Sequence, residues 1–313
     1  MTCLNALIAE RERLWDDHPI ITESAILPTR PVQNALARVL ALSRKKRASI
    51  AFWAAPVTGK SSCLRAIKYG VQQRFPGCGV LELETVEDRQ QAEGRLLEQI
   101  LRAIKYAPKI DRTVAGKRDQ VCRALIAMAG PAKHLFILLD EAQEFTVAEF
   151  AWLKHVINGM TNAEIKVTTV IFGQEKLKER RQELYETHRA DLGERFMKKL
   201  FEFKGCREQI DLQIMCEAID QRSSYPADTG WTFTQLLFPK AYTAGFRFVD
   251  LVPRLWEAIR ERVSPKNLAN GLPMEVIAAT LASLMLLLKD LDGPSMAVSE
   301  ATIAKAVKQG FDL

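Results

Sequence analysis

Lys60 and Ser61 close the segment Ala54-Ala55-Pro56-Val57-Thr58-Gly59-Lys60-Ser61, and Asp140-Glu141 close the apolar run Leu135-Phe136-Ile137-Leu138-Leu139. An ammonium, a hydroxyl and two carboxylates in these settings can do phosphate chemistry. The first segment follows the template G-x-x-x-x-G-K-[ST], in which backbone N–H groups wrap phosphates at a helix N-terminus. Ala54, Pro56, Val57, Thr58, Gly59, Lys60, Ser61 and Ser62 are therefore the candidate nucleotide-binding set. Lys60 is expected to reach the outer phosphates, with Ser61 on a Mg²⁺ ion. The first template glycine is Ala54 here. If that position needs a positive φ, alanine costs about 1–2 kcal/mol. Asp140 is the second expected Mg²⁺ ligand, and Glu141 the group that polarises a water for attack on the γ-phosphate.

Other residues are candidates by position. Gln174 follows the apolar run Val167–Phe172 and Gly173, which places it at a strand end near the γ-phosphate. Arg195 lies in Leu192-Gly193-Glu194-Arg195-Phe196, and Arg247 in Ala244-Gly245-Phe246-Arg247. Either can place a cation on phosphate; Arg195 can do so in a neighbouring subunit. Lys105, Lys109, Arg112, Lys117 and Arg118 surround one polar segment and are the candidate DNA contacts. Arg44 to Arg47 reads as a solvated connector. Lys176, Lys178, Arg180 and Arg181 alternate with glutamates, as on an exposed salt-bridged helix.

The elements that must hold these groups alternate. Strands are expected at 48–53, 79–85, 134–139 and 167–172. Helices are expected at 30–42, 62–74, 89–106, 119–129 and 145–158, with a loop at 107–118. Strand–helix alternation implies an α/β fold: a parallel sheet with helices on both faces. Beyond about residue 203 only helical segments broken by Pro and Gly remain. The expected division is an α/β domain with its leader at 1–207 and a helical lid at 208–313. The apolar stretch Val276–Leu288 is either lid core or a docking surface.

Composition narrows the class. Of 313 residues, 48% are apolar and 26% charged, which is ordinary globular usage. A net charge of +6 is compatible with an anionic partner without specifying one. The six cysteines form no C-x-x-C pair, so neither zinc nor redox chemistry is suggested. No secretory leader is recognisable and no apolar run is long enough for a bilayer, so a cytoplasmic protein without a membrane partner is the expectation.

Taken in order, these motifs resemble those of AAA+ ATPases, and within them the TniB/TnsC group of transposition regulators. The resemblance spans about 18–260. It rests on His18-Pro19-Ile20-Ile21-Thr22, the Arg30 helix, Thr58-Gly59-Lys60-Ser61-Ser62, Leu139-Asp140-Glu141-Ala142-Gln143, Ile171-Phe172-Gly173-Gln174, Glu194-Arg195-Phe196 and Gly245-Phe246-Arg247. It implies a P-loop AAA+ domain with a helical lid, using ATP and Mg²⁺ and hydrolysing ATP. It implies rings or filaments on double-stranded DNA that link a target-selection adaptor to a transposase. It also implies Arg195 as a finger acting in trans and Arg247 as a second sensor. Three other readings stand beside it: a DNA-independent switch associated with secretion or defence, an ATP-binding scaffold with little turnover, and a small-molecule kinase.

Overall fold

The computed structural model describes residues 2–85 and 91–312, and the chain divides into two compact units. One unit comprises 34–56 and 60–203. The other comprises 1–33, 57–59 and 204–313.

The first unit is built on five strands: β1 (Arg47–Trp53), β2 (Gly79–Glu84), β3 (His134–Asp140), β4 (Lys166–Gly173) and β5 (Leu200–Glu202). Their order is β2-β3-β4-β1-β5, and every pairing is parallel. Parallel strands buried on both faces read as continuous apolar runs. β3 obeys this, with His134 to Leu139 all buried. Because β4 lies between β1 and β3, three strand ends converge where two would meet if β1 and β3 were neighbours. β5 escapes the sequence reading because it is three residues long and flanked by lysines.

Numbering helices along the whole chain, α1 (Thr2–Leu14) belongs to the second unit and α2 (Arg30–Leu42) leads into the first. The first unit continues with α3 (Lys60–Arg74), α4 (Glu93–Ala103), α5 (Val114–Ala129), α6 (Val147–Asn162), α7 (Lys176–Glu186) and α8 (Ala190–Phe196). Leu96, Leu97, Ile100 and Leu101 of α4 and Leu153 and Ile157 of α6 pack with the β2–β3 side chains in one core. Residues 89–90 of the expected α4 lie outside the described residues. α5 starts earlier than expected, because the Thr113 hydroxyl caps it by accepting from Gly116 N–H at 3.0 Å. Lys117 and Arg118 thus sit on a helix, not in a loop.

The second unit is helical: α9 (Gln209–Gln221), α10 (Phe233–Leu237), α11 (Pro239–Thr243), α12 (Val252–Arg262), α13 (Pro265–Asn270), α14 (Met274–Leu288) and α15 (Glu300–Phe311) join α1. α14 holds the apolar stretch, and Ile277, Leu281, Leu284, Met285 and Leu288 are core. Gly310 lets α15 approach α14, since a Cβ there would lie 2.1 Å from Thr280 Oγ1. No described helix is long and apolar enough to cross a membrane.

The leader packs in this helical unit, whereas the sequence reading attaches it to the sheet. Arg11 donates from Nε to the Leu237 carbonyl at 2.6 Å and from Nη2 to that of Lys289. His18 is wedged edge-on against Tyr225 and Phe233, its Nδ1 accepting from Ile20 N–H. Arg30 pairs with Glu208 at 3.0 Å and Asp211 at 3.2 Å. The loop tip 57–59 also clusters here, Met274 N–H donating to the Val57 carbonyl at 3.0 Å.

Candidate nucleotide site

The loop between β1 and α3 carries its backbone strain where the template does not lead one to expect it. Ala54, buried at the end of β1, is not among the positive-φ residues; its N–H donates to the Gly173 carbonyl at 3.0 Å. The penalty for losing the first template glycine therefore does not arise. Positive φ occurs instead at Val57, +54°, and Gly59, +88°. A β-branched residue in the left-handed region is unusual, and Val57 is also exposed. Gly59 uses the freedom that only glycine has at such a φ.

The side chains expected to do chemistry meet at the ends of β1, β3 and β4. Ser61 Oγ donates to Asp140 Oδ2 at 2.7 Å. Lys60 Nζ lies 3.7 Å from Glu141 Oε1 and 3.4 Å from the Ala55 carbonyl. Gln174 Nε2 donates to Glu141 Oε2 at 2.9 Å. Glu141 itself is left-handed at φ 52°, the kind of strained residue found at functional sites. That conformation ends the strand and turns the carboxylate toward Lys60 and Gln174.

Three positioning residues lie outside the candidate set read from sequence. Gln143 Nε2 donates to Glu141 Oε2 at 2.7 Å, while its Oε1 accepts from Gln174 N–H at 2.8 Å. One amide thus ties the end of β4 to the turn after β3. Gly173 permits this, since a Cβ there would lie 2.8 Å from Gln143 Oε1. Thr85, just after β2, donates from N–H to the Asp140 carbonyl at 3.1 Å and from its hydroxyl to the same carbonyl at 2.9 Å. The D-E-x-Q spacing is the available signal for Gln143. Nothing local marks Thr85, whose partners come from another strand.

A hydroxyl beside a carboxylate is a hard oxygen donor pair. It suits Mg²⁺, which binds through one or two protein oxygens, with phosphates and water completing the shell. No cluster of three or more His, Cys, Asp or Glu suited to a metal occurs among the described residues, so an all-protein cage is not offered. Ser61 and Asp140 would hold the ion, and it would supply charge neutralisation on the phosphates.

The remaining candidates are elsewhere. Leu192 and Phe196 anchor α8 in the core and leave Arg195 half-buried on another face, its Nε without a hydrogen-bond partner among the described residues. Burial, then the nearby Arg47 charge, lower its pKa. Arg247 is engaged inside the helical unit. Its Nη1 donates to the carbonyls of Tyr242 at 3.0 Å and Phe246 at 2.6 Å, and the guanidinium stacks 3.7 Å over the Tyr242 ring. Of the five proposed DNA contacts, Lys105, Lys109, Arg112 and Arg118 are exposed and Lys117 is half-buried. Lys117 pairs with Glu98 at 2.5 Å, and Arg118 grips Glu93 with two nitrogens. Those two cations tie α5 to α4.

Residues 43–180 match the model of the AAA domain family. This is a P-loop AAA+ fold. Similar solved structures include the Aeropyrum pernix ORC2 protein in ADPNP and ADP complexes. At 13% identity the match covers 94% of this chain and 71% of that one, with a TM-score of 0.58. Drosophila ORC bound to DNA is similar at 10% identity, covering 89% and 66%, with a TM-score of 0.51. Identities this low establish the shared AAA+ fold and nothing finer. No curated protein matches the sequence.

Proposed function

We propose that the protein is an ATP-hydrolysing AAA+ switch. The convergence of Lys60, Ser61, Asp140, Glu141 and Gln174 at adjacent strand ends carries this reading. Lys60 and the loop amides hold the phosphates, and Ser61 and Asp140 the ion. Glu141 accepts the proton of the attacking water, oriented by Gln143 and Gln174. Arg195 acts on the nucleotide of a neighbouring subunit, where a guanidinium neutralises developing charge. Arg247 senses nucleotide from the lid after leaving its Tyr242 stack. The scaffold reading without turnover depends on strain at Ala54, and Ala54 has no positive φ.

The finer reading follows the sequence resemblance. The switch assembles as a ring or filament on double-stranded DNA and links a target-selection adaptor to a transposase. ATP at subunit junctions favours the assembled form, and hydrolysis releases it. Two features support it: the TniB/TnsC-like motif series, and the DNA bound to Drosophila ORC, whose fold is similar. The test measures ATPase rate and particle size by negative-stain microscopy, with and without duplex DNA, for the wild type and Glu141→Gln. DNA-stimulated turnover, with assemblies trapped by Glu141→Gln, is the expected result. ATP binding that ignores DNA in both respects leaves the DNA-independent switch.

A further inference from the structure

The other end of β1 has a site of its own. Lys45, Arg47, Arg195, Lys198, Lys199 and Glu194 line most of a cleft of about 190 Å³ where β1 and β5 begin. Its opposing charge is already used: Glu194 pairs with Lys198 at 2.7 Å and accepts from the Tyr185 hydroxyl. Lys45, Arg47, Arg195 and Lys199 have no carboxylate partner among the described residues. Four unbalanced cations around one small cleft repel one another, and an anion between them relieves that repulsion. Arg195 adds a half-buried guanidinium whose Nε has no hydrogen-bond partner among the described residues, so a ligand accepting there would satisfy it. β1 has seven residues, so the cleft lies roughly 20 Å from the phosphate loop at about 3.3 Å per residue.

We propose that this cleft is a second phosphoryl-anion site that takes an oligophosphate, separate from the phosphate loop. Guanidinium and ammonium donors around a compact space match phosphate oxygens, with Arg giving bidentate contacts and Lys point charges. The oligophosphate is one free in solution, so this assignment does not rest on the ATP-switch reading.

The test uses the full chain with Lys60→Ala, which silences the phosphate loop. Inorganic pyrophosphate is titrated by calorimetry at a dilute protein concentration and fixed ionic strength, with and without Lys45→Gln/Arg47→Gln/Lys199→Gln. The control Arg44→Gln/Lys46→Gln removes charge from the same connector at positions that do not line the cleft. All five are exposed, so folding should survive, and thermal melting checks this. Tenfold or greater weakening of pyrophosphate binding by the triple change, and less than twofold by the control, supports the proposal. Equal weakening by control and triple means unspecific ionic attraction and overturns it, as does an affinity that the triple change leaves unaltered. Failure of the otherwise unaltered chain to bind ATP would sink the switch reading while the pyrophosphate titration still decides this one.

Discussion

The two units use the same residue types to opposite ends. In the helical unit two buried carboxylates are tied into the backbone. Asp220, fully buried, accepts from the Thr234 hydroxyl, Phe248 N–H at 3.0 Å and Val249 N–H at 2.9 Å. Asp211 accepts at Oδ2 from Arg207 N–H and Glu208 N–H, while its Oδ1 makes no hydrogen bond and faces the Arg30 cation at 3.2 Å. In the α/β unit Asp140 has one hydroxyl and its neighbour's N–H, and Glu141 has two neutral amides and a distant ammonium. A carboxylate held by backbone N–H groups fixes structure. One with acceptor capacity left over, beside a phosphate loop, can take a metal ion or a proton.

The sharpest way to break that contrast is Glu141→Gln. The amide keeps the shape and loses the base, so turnover should fall by about 10²–10⁴ while ATP affinity stays within a few-fold. Turnover near wild type would mean that the open carboxylate does no chemistry. Asp220→Ala tests the other side. It strands a buried hydroxyl and two N–H groups, and urea unfolding should show a loss of roughly 3–5 kcal/mol. A loss below about 1 kcal/mol would mean that Asp220 is not a structural knot.

Acid separates the units by a different route. Burial pushes His18 down to about 4, and burial plus the Lys166 charge pushes His134 to about 4. Both folded-state values lie below the ordinary 6.5, so the unfolded chain binds more protons between those limits. Stability is therefore full above about pH 6.5 and falls as pH drops toward 4, by up to roughly 3 kcal/mol for each histidine. His18 belongs to the helical unit and His134 to the sheet. His18→Asn keeps an acceptor for Ile20 N–H. It should flatten the pH slope of the helical unit's unfolding and leave that of the sheet unchanged. An unaltered slope would show that His18 is not the titrating group.

A smaller effect is expected at the amide bridge. Gln174→Ala removes one donor from Glu141 but leaves Gln143, so turnover should fall about tenfold at unchanged ATP affinity, a difference of about 1.4 kcal/mol. An equal rise in KM with constant kcat would instead make Gln174 a binding residue.

Much of this is legible in the sequence, for reasons that can be named. Buried parallel strands must be apolar throughout, so β1, β3 and β4 stand out, and their ends locate Lys60, Asp140, Glu141 and Gln174. What stays hidden depends on distant partners. Thr85 matters because β2 lies beside β3. His18 and Arg30 matter because α9 and Tyr225, far along the chain, receive them. The five cations at 105–118 look alike in sequence, and only the fold separates those facing glutamates from those facing water. β5 falls below the length at which periodicity speaks.

That separation yields the last prediction, with the smallest effect. Glu93 is held below the usual carboxylate range chiefly by its hydrogen bond from Arg118, and Glu98 by that from Lys117. Water screens the exposed Arg118 pair, and the Lys117 pair is only partly covered, so neither adds much to stability. Lys117→Gln/Arg118→Gln should therefore lower the urea midpoint only slightly and leave the salt dependence of duplex binding unchanged. Lys105→Gln/Lys109→Gln/Arg112→Gln removes cations that face solvent. If this region meets DNA, it should leave stability alone and reduce the slope of log K against log salt by about 0.9 for each lost phosphate contact. A slope that responds to the paired cations and not to the other three would mean that the α4–α5 ion pairs open on DNA, and that closure in the isolated chain is no guide to which charges bind.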